Sequence, residues 1–476
     1  MDNKLTQLHI LIFPHMSRGH SIPALDIANL FASRGCKISI ISTPANAPHF
    51  TKSIQTTKDL GLQIQILLIP FPSKEVGLPQ GLESQHLTTT IEMRNKFHMA
   101  TTLFEQPLEQ LLKQHRPDCL VADTHYPWAT GVAAKFGIPR LIFHGTSCFA
   151  LCAAISSMRY EPYKNVSSET EPFLIPNLPD KIRMTRNQVP EYSAFVRKTE
   201  EIEVKSFGVI VNSFYELEPA YLDHYRKVFG RKAWQIGPLF LCNKETEDKA
   251  NRGEEASVDK NECLKWLDSK KPKTVVYVSF GSLSSFTDEQ LLEIALALEA
   301  SGQLFIWVVK KEVGAKEEWL PEGFEKRMEG KGLIIRSWAP QLVILEHEAI
   351  GGFVTHCGWN STLEGITAGV PMVTWPVAAD QFYNEKLATK ILKIGVGVGA
   401  KKCVRIVGDS VKREAIVKAL SRIMEGEEAE EMRSRARKLG EMARRAFEEG
   451  GSSYSDINSL IEELRSYSPG CDSSKD

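Results

Sequence analysis

Residues 338–381 constrain the fold of this chain more than any other stretch. Two short apolar runs within it, 351–355 and 370–376, are rich in β-branched and aromatic residues and predict strands. Between them, residues 362–368 predict a helix that follows the N-cap residue Ser361 and stops at a glycine. Strand, helix and strand in this order predict one unit of a parallel sheet.

The turn between the first strand and the helix is a predicted anion site. Unpaired backbone N–H groups and the helix dipole both favour a negative ligand at a helix N-terminus. The side chains of His356, Asn360 and Ser361 add donors there, which suits a diphosphate. Glu364 is placed to close a capping box on Ser361. The ring of Trp338, at the end of another predicted strand, can stack on a flat base.

The same stretch resembles a known signature. From its first Trp, through HCGWNS in the middle, to its final Asp-Gln, it matches end to end the signature box of the plant secondary-product (family-one) UDP-glycosyltransferases. Further family-like motifs cover nearly the whole chain. The resemblance implies the GT-B fold, an α/β fold in which two Rossmann-like domains with doubly wound parallel sheets face each other across a cleft. It also implies that the last helix returns to the N-terminal half.

The hydrophobic pattern independently predicts two α/β halves. Short apolar runs alternate with helical segments twice along the 476 residues, and an apolar content of 42% suffices for two cores. A charged stretch between the halves is the predicted linker. The predicted division is an N-terminal acceptor-binding Rossmann-like domain 1–241, a charged linker 242–262, a C-terminal UDP-sugar-binding Rossmann-like domain 263–452, a returning helix 453–466 and a disordered tail 467–476.

Two residues near predicted strand ends are candidate catalytic groups. His20 and Asp123 each lie just beyond the carboxyl end of a predicted parallel strand, where open α/β sheets bind ligands. A neutral imidazole can take a proton from an acceptor hydroxyl, and a carboxylate on its other nitrogen fixes the tautomer and stabilises the cation. Their surroundings, FPHMSRGHSIP and VADTHYPW, resemble the family's catalytic segments and imply His20 as general base with Asp123 as its partner. Pro23 is expected in the first turn of the helix that follows the first strand.

The resemblance also distributes a UDP-sugar site over the C-terminal half. It assigns Trp338 to uracil stacking, Gln341 to the uridine neighbourhood and Glu364 to the ribose hydroxyls. The helix start, with His356 and Ser282, can stabilise the leaving diphosphate. The full predicted set is Ser282, Trp338, Ala339, Gln341, His356, Trp359, Asn360, Ser361, Glu364, Asp380 and Gln381.

The donor sugar is predicted from the end of the signature. The resemblance assigns Trp359, Asp380 and Gln381 to the sugar, and Gln rather than His at position 381 favours glucose over galactose. No Arg is visibly matched to a sugar carboxylate, which disfavours glucuronate. The chain has no Asp-x-Asp motif that would hold a metal. We therefore expect neither a metal nor a cofactor beyond UDP-glucose as co-substrate.

The acceptor is the least specified part of the prediction. Two positions after the catalytic Asp, where the family commonly has an aromatic residue, this chain has His125, a titratable group and a rival base. His20 stays favoured because its whole flanking motif is intact. Residues beside the catalytic turns form the candidate acceptor pocket: His15, Met16, Arg18, His86, His125, Tyr126, Trp128, Cys148 and Phe149.

The predicted reaction is a single displacement that inverts the anomeric carbon of UDP-glucose. It gives a β-glucoside on a hydroxyl or carboxyl group of a plant specialised metabolite, with a flavonoid or other phenolic favoured. The segments FHGTSCF and WPVAADQFYNEKL resemble the subgroup that acts on flavonoids and on triterpenoid or steroid aglycones. Open alternatives are a triterpenoid or steroid aglycone, a different UDP-sugar and, remotely, a UDP-sugar-binding protein without activity. A nicotinamide oxidoreductase is disfavoured, because the turn after the first strand lacks G-x-G-x-x-G.

Charge and cysteine content indicate in which cellular compartment the protein resides and which classes of partner it binds. A net charge of −1 without a basic run disfavours nucleic acid and anionic membrane surfaces. The N-terminal segment resembles neither a signal peptide nor a spanning helix. The nine cysteines lack CxxC pairs and metal spacing, so we expect a reduced cytoplasmic location in which the sequons at Asn165 and Asn360 are unused. A monomer whose partners are the acceptor and the UDP-sugar is predicted.

Overall fold

The computed structural model describes residues 7–190, 193–250, 252, 260–282, 286–310, 319–404 and 409–468. Its strands are β1 His9–Phe13, β2 Lys37–Ser42, β3 Ile64–Leu68, β4 Cys119–Asp123, β5 Arg140–His144, β6 Pro172–Leu174, β7 Arg183–Thr185, β8 Gly208–Val211, β9 Ala233–Gln235, β10 Val275–Ser279, β11 Leu304–Val309, β12 Gly332–Arg336, β13 Ile350–Thr355, β14 Met372–Thr374 and β15 Gly395–Gly397.

The helices follow the same alternation. They are α1 Arg18–Ser33, α2 Pro48–Asp59, α3 Ser73–Val76, α4 Ile91–Thr102, α5 Glu105–His115, α6 Ala129–Ala134, α7 Cys148–Tyr160, α8 Ser193–Lys205, α9 Pro219–Lys227, α10 Thr246–Ala250, α11 Lys260–Asp268, α12 Asp288–Ser301, α13 Phe324–Arg327, α14 Gln341–Leu345, α15 Trp359–Ala368, α16 Gln381–Lys386, α17 Arg413–Met424, α18 Gly426–Phe447 and α19 Ser452–Ser466. Within the described residues, no helix combines the length and apolar character needed to cross a bilayer.

The first half of the chain forms a parallel sheet in the order β3-β2-β1-β4-β5-β8-β9. β1 pairs with β2 on one side and with β4 on the other, so the progression of strands reverses between β1 and β4. Strands β1, β4 and β5 are buried along their whole length, as their continuous apolar sequences require. Such a reversal opens a crevice at the carboxyl ends of the two central strands, where ligands bind.

The second half repeats this arrangement. Its sheet has the order β12-β11-β10-β13-β14-β15, and it reverses between β10 and β13. β10 and β13 are buried throughout, so each reads as an apolar run. Two doubly wound parallel sheets with flanking helices confirm the predicted GT-B fold class. A short antiparallel pair, β6 with β7, lies apart from both sheets.

The last helix ties the end of the chain to its first half. Asp456 on α19 accepts a hydrogen bond from the backbone N–H of Gln235 at 2.8 Å. The apolar face of α19 is buried in the same cluster as β1 and β2 through Ile457, Leu460, Ile461 and Leu464. The domain boundaries drawn from the sequence stay a prediction.

Two predicted helix starts are wrong. α1 begins at Arg18, so Pro23 lies inside the helix instead of in its first turn. α15 begins at Trp359 with Gly358 as N-cap, so neither the start at Thr362 nor the capping role of Ser361 is observed. Both helices therefore begin earlier in the chain than expected, and α15 starts from a glycine instead of a side-chain cap.

Parts of the predicted linker and tail have regular structure or tertiary contacts. The stretch 242–262 contains α10 and the start of α11. Its charges are partly used in ion pairs, since Lys249 on α10 contacts Glu346 at 2.7 Å. In the predicted tail, Tyr467 packs edge-on against Phe207 with ring centroids 5.5 Å apart, while residues 469–476 lie outside the described residues.

Candidate active site

A histidine–carboxylate pair lies at the reversal point of the first sheet. His20 belongs to α1, directly after β1, and Asp123 is the last residue of β4. His20 Nδ1 donates to Asp123 Oδ2 at 2.7 Å. The Asp123 side chain is fully buried, whereas 23% of the His20 side chain is exposed. The two residues singled out from the sequence therefore meet, with the imidazole on the accessible side of the carboxylate.

Asp123 is shared with a second histidine. Its Oδ1 accepts from Nδ1 of His125 at 2.8 Å and from the backbone N–H of His125 at 2.9 Å. The His125 ring stands perpendicular to the His20 ring, with centroids 4.9 Å apart. The rival base is thus held by the same carboxylate as His20.

Burial and charge separate the two imidazoles. Burial disfavours the cation of His20, but the adjacent Asp123 carboxylate outweighs burial, so the pKa of His20 is raised. At His125 burial dominates, and its pKa is lowered despite the same carboxylate. Burial also opposes ionisation of Asp123, yet the two histidines hold the pKa of this carboxyl well below its usual range. His20 is therefore the stronger base of the two.

The turn that carries His20 is braced from the second half of the chain. Pro23 has no N–H, so the carbonyl of Gly19 lacks its donor one turn further along α1. Asn360 Nδ2 donates to that carbonyl at 2.8 Å across the two halves. Behind the His20 ring, a Cβ on Gly145 would lie 3.5 Å from Cε1, so this glycine backs the ring at contact distance.

The N-terminus of α15 lies at the reversal point of the second sheet, directly after β13. Its first intrahelical bond runs from Thr362 N–H to the Gly358 carbonyl at 2.9 Å. The N–H groups of residues 359–361 therefore precede the helical ladder and are free to bind an anion. This is the anion site predicted from the sequence, and it begins about one helical turn earlier in the chain than predicted.

Two glycines enclose the ring of His356 at this site. A Cβ on Gly281, which follows β10 and has φ +69°, would lie 2.5 Å from His356 Cε1. A Cβ on Gly358 would also clash with Nε2 of that ring. Both positions therefore require glycine for the imidazole to stand against the backbone.

His356 is a neutral, buried donor or acceptor. Burial, helped by the charge of Lys310, lowers the pKa of His356 to about 3. Among the described residues, neither His356 Nδ1 nor Asn360 Oδ1 has a hydrogen-bond partner, although both atoms are buried. A buried polar atom without a protein partner fits a site that binds a polar ligand.

A hydrogen-bond network surrounds Glu364. Gln341 Nε2 donates to Glu364 Oε2 at 2.6 Å and to Ser361 Oγ at 3.1 Å. Arg252, from the predicted linker, contacts Glu364 Oε1 at 2.6 Å and Asp26 of α1 at 2.8 Å. These three predicted donor-site residues thus lie together, and Arg252 connects them to the first half of the chain. Each carboxylate oxygen keeps a second lone pair that can accept from a ribose hydroxyl.

Three other predicted donor-site residues lie at the same sheet edge. The half-buried ring of Trp338 follows β12, with the Arg18 guanidinium carbon 6.0 Å from its centroid. Ser282 comes directly after the turn that ends β10, and Ala339 is buried beside Trp338 in sequence. The accessible indole face can stack on a base.

The side chain of Trp359 is used inside the protein. Its Nε1 donates to the backbone carbonyl of Asn212 at 2.7 Å, and the ring is buried. A ring packed between the two halves does not reach a ligand, so the assignment of Trp359 to the sugar stays a prediction for its backbone. The backbone N–H of Trp359 precedes the helical ladder of α15 and can donate to a sugar hydroxyl.

Asp380 and Gln381 open α16 opposite the first sheet. Asp380 Oδ2 accepts from the Thr146 hydroxyl, which lies in the first half, and from Asn384 Nδ2 at 3.0 Å. Gln381 Oε1 accepts from the N–H groups of residues 377–378 at 2.8 Å each. These bonds orient both side chains and leave Asp380 Oδ1 and the Gln381 amide N–H groups for sugar hydroxyls.

The predicted pocket residues Tyr126, Cys148 and Phe149 are fully buried and make contacts inside the protein. Tyr126 stacks on Phe13 with centroids 4.3 Å apart, and its hydroxyl donates to a backbone carbonyl. Cys148 and Phe149 are fully buried in the first turn of α7. Their N–H groups donate to the two oxygens of the buried Glu218 at 3.0 and 2.7 Å, so this helix end is capped from inside the protein.

The other predicted pocket residues differ in accessibility. The His15 ring lies 4.4 Å from the His125 ring, and burial lowers the pKa of His15 well below its ordinary value. Met16 is buried in the apolar cluster of the first sheet, so its side chain is not accessible to an acceptor in this structure. Arg18 faces Trp338 and hence the donor side. The remaining two, His86 and Trp128, are half-buried.

Sequence reasoning missed several residues at this site. Gly145 and Thr146 follow β5, and Asn212 follows β8, so the rule that ligands gather at carboxyl strand ends would have found them. Phe195, whose ring lies 5.1 Å from that of His125, and Arg252 come from distant segments without a local signal.

The histidine–carboxylate cluster also meets the distance requirement of a metal site. One donor atom from each of His20, Asp123 and His125 lies within 4.8 Å of the others. Imidazole and carboxylate are ordinary ligands of zinc. In the structure the hydrogen bonds from both Nδ1 atoms to the carboxylate arrange the same groups for proton transfer.

Comparison with known proteins agrees with this geometry. The family model described as UDP-glucoronosyl and UDP-glucosyl transferase matches residues 82–431. The chain is 61% identical over 473 residues to the UDP-glucose flavonoid 3-O-glucosyltransferase 7 of Fragaria ananassa, covering 96% of each chain. It is 55% identical over 471 residues to the scopoletin glucosyltransferase of Nicotiana tabacum, covering 97% of this chain and 99% of that one.

A solved structure shares the whole architecture. The crystal structure of Glycyrrhiza uralensis UGT73P12 complexed with glycyrrhetinic acid 3-O-monoglucuronide matches with a TM-score of 0.90 at 41% identity, covering 97% of this chain and 96% of that chain. Fold, family model and relatives agree along nearly the whole length of the chain. The chain therefore belongs to the plant family-one UDP-glycosyltransferases and is a UDP-glycosyltransferase.

Proposed function

We propose that this enzyme transfers glucose from UDP-glucose to a hydroxyl group of a plant phenolic of the flavonoid or coumarin class, with inversion to a β-glucoside. One observation carries the proposal: Asn360, on the first turn of α15, donates to Gly19, the neighbour of His20. One hydrogen bond therefore joins the turn that carries His20, the proposed proton acceptor, to the N-terminus of α15, the proposed diphosphate site. This is the arrangement that a displacement with an anionic leaving group needs.

In the proposed step, Nε2 of His20 takes the proton of the acceptor hydroxyl while the oxygen attacks the anomeric carbon. The bond from that carbon to the diphosphate oxygen breaks, and UDP leaves. Asp123 accepts from Nδ1–H of His20, which orients the ring and stabilises the imidazolium that forms. Since attack and departure occur on opposite faces, the product is the β-anomer.

The donor is proposed to lie along the edge of the second sheet. The N-terminus of α15, with His356 and Ser282, stabilises the diphosphate as charge develops on it, and no metal is needed for this. Trp338 stacks on the uracil, and Glu364, oriented by Gln341, binds the ribose hydroxyls. The sugar hydroxyls meet three groups: Asp380, Gln381 and the backbone N–H of Trp359.

The relatives support a phenolic acceptor over the alternatives. The Fragaria and Nicotiana relatives are named for transfer of glucose to a flavonoid and to scopoletin, which is a hydroxycoumarin. The Glycyrrhiza structure holds a triterpenoid glucuronide, which keeps a triterpenoid acceptor as a second candidate at lower sequence identity. A cytoplasmic location and a monomeric state stay predictions.

An acceptor and donor panel tests the proposal. We expect purified protein with UDP-glucose to add one glucose-sized mass to a flavonol and to 7-hydroxycoumarin. A triterpenoid acid, UDP-galactose and UDP-glucuronate should react more slowly, by about tenfold or more for a mismatched polar contact. Product mass and UDP release are measured with and without a chelator, which should not change the rate. Transfer to the triterpenoid alone, or loss of transfer on chelation, would contradict the proposal.

The rate should depend on pH through His20. The base must be unprotonated, so kcat/KM is low below the pKa of His20 and reaches a plateau above it. Because Asp123 raises this pKa from its ordinary value of 6.5, the rising limb should lie above pH 6.5. In Asp123→Asn the charge is lost, so the limb should move to lower pH while the plateau falls by about a hundredfold or more.

A pH–rate series for two acceptors of different acidity checks this assignment. A limb that belongs to His20 keeps its position when the acceptor is changed and moves when Asp123 is changed. A limb that follows the acceptor's own pKa, and ignores the Asp123→Asn substitution, would show that ionisation of the acceptor controls the rate.

A further inference from the structure

Asp123 binds two imidazoles at once, one on each carboxylate oxygen. His20 donates Nδ1–H to one carboxylate oxygen, and His125 donates Nδ1–H to the other. A neutral imidazole carries a single N–H, so Nε2 of each ring is left as a hydrogen-bond acceptor. Within the described part of the chain, no hydrogen bond is made to either Nε2 atom.

Both rings present themselves on the same accessible side of the carboxylate. The exposed fraction of the side chain is 23% for His20 and 28% for His125, against none for Asp123. The rings stand perpendicular with centroids 4.9 Å apart. Two neighbouring imidazoles, each partly exposed, are therefore accessible to a molecule that reaches His20.

The surroundings of His125 suit an aromatic molecule. The Phe195 ring lies 5.1 Å from the His125 ring at 35°, and the His15 ring lies 4.4 Å from it at 34°. The half-buried Phe195 ring can form a wall against which a planar aglycone packs, and the buried His15 ring supports His125 from the protein interior. A molecule held here covers both imidazoles, so each Nε2 loses its contact with water.

We propose that the preferred acceptor carries two hydroxyl groups on adjacent carbons of an aromatic ring, one giving its proton to His20 and the other donating a hydrogen bond to Nε2 of His125. The proposal rests on the proposed function and names its substrate class, a catechol-type phenolic. An acceptor with a single hydroxyl leaves Nε2 of His125 desolvated and unpaired, which costs affinity. Burial lowers the pKa of His125, so its ring stays neutral and able to accept at neutral pH.

Three coumarins of nearly equal size separate the contributions. 6,7-Dihydroxycoumarin has both hydroxyls, 7-hydroxycoumarin lacks the second, and 7-hydroxy-6-methoxycoumarin keeps the second oxygen without its proton. Two reactive hydroxyls alone give a statistical factor of about two in kcat/KM, whereas an added hydrogen bond in a partly desolvated site gives about tenfold. We expect wild-type enzyme at saturating UDP-glucose to prefer the dihydroxy compound over both others by about tenfold.

Substitutions at position 125 test the residue. In His125→Phe, which restores an aromatic ring without an acceptor atom, the preference should fall to about the statistical factor of two. His125→Gln, whose side-chain oxygen can accept in place of Nε2, should keep part of it. Phe195→Leu is the matched control, because it changes the packing beside His125 but removes no hydrogen-bonding atom, so the preference should survive.

Binding measurements keep the proposal separate from the reaction itself. Calorimetric titration of the three coumarins into the enzyme with UDP reports recognition without transfer, and thermal unfolding shows that each variant is folded. A binding preference for the dihydroxy compound that disappears in His125→Phe supports the role of His125 in acceptor recognition. This holds even if no glucose is transferred to the coumarins, a result that would refute only the proposed reaction. Transfer to all three with equal kcat/KM, or a preference that persists in His125→Phe, overturns it.

Discussion

His20→Ala is expected to lower kcat by about a thousandfold, the usual contribution of a positioned general base. The reason is geometric: His20 is the more basic of the two imidazoles on Asp123 and lies beside the turn braced by Asn360. Product formation from UDP-glucose and 7-hydroxycoumarin, followed by mass under single-turnover and steady-state conditions, measures the effect.

Donor binding provides the control for this variant. The groups proposed to bind UDP belong to the second sheet, so the affinity for UDP measured by calorimetry should stay close to that of wild type. A kcat within about tenfold of wild type would remove His20 as the base. His125, on the same carboxylate, would then be the group to substitute next.

Gly281→Ala is expected to weaken UDP binding by about tenfold to a hundredfold, the loss of one strong hydrogen bond to a charged group. A Cβ at this position would lie 2.5 Å from His356 Cε1, and the ring has no free space because Gly358 closes its other side. The imidazole must therefore shift away from the N-terminus of α15. Calorimetric titration with UDP, together with KM for UDP-glucose, measures the change.

Gly302→Ala is the matched control. Gly302 has φ +66°, close to the +69° of Gly281, but a Cβ there would meet nothing within 4 Å. Both substitutions carry the backbone strain of a left-handed alanine, about 1 kcal/mol, and should lower the temperature of thermal unfolding similarly. Only Gly281→Ala should lose affinity for UDP. Equal UDP affinity in the two variants would mean that His356 does not contact the diphosphate.

The positions of the candidate groups could be predicted from local patterns. Apolar runs mark the central strands, and a polar residue directly after such a run lies at the carboxyl edge of the sheet. This placed Asp123 and His356 at the sheet edges, whereas the role predicted for His20 depended on the family-like segment around it. The helix start at α15 was placed about one turn late, because Asn360 and Ser361 have the side chains of good caps while a glycine makes the turn.

Local patterns could not predict how side chains are used across the two halves. Trp359 lies within the signature, yet its indole N–H binds the carbonyl of Asn212 far away in the sequence. Arg252 lies in a charged stretch that suggests a solvated linker, but it pairs with Asp26 and Glu364. In each case the partner is brought close only when the two sheets face each other.

The sequence by itself determined the α/β class, the two sheets and the chemical groups at their edges, since the alternation of apolar strands and helical segments is a property of neighbours along the chain. Only the tertiary structure decided which of these groups share a partner. It placed His125 on the second oxygen of Asp123 and turned Cys148 and Phe149 into the core. Hydrogen bonds and packing between distant segments depend on how the elements dock, and periodicity within one segment contains no information about that.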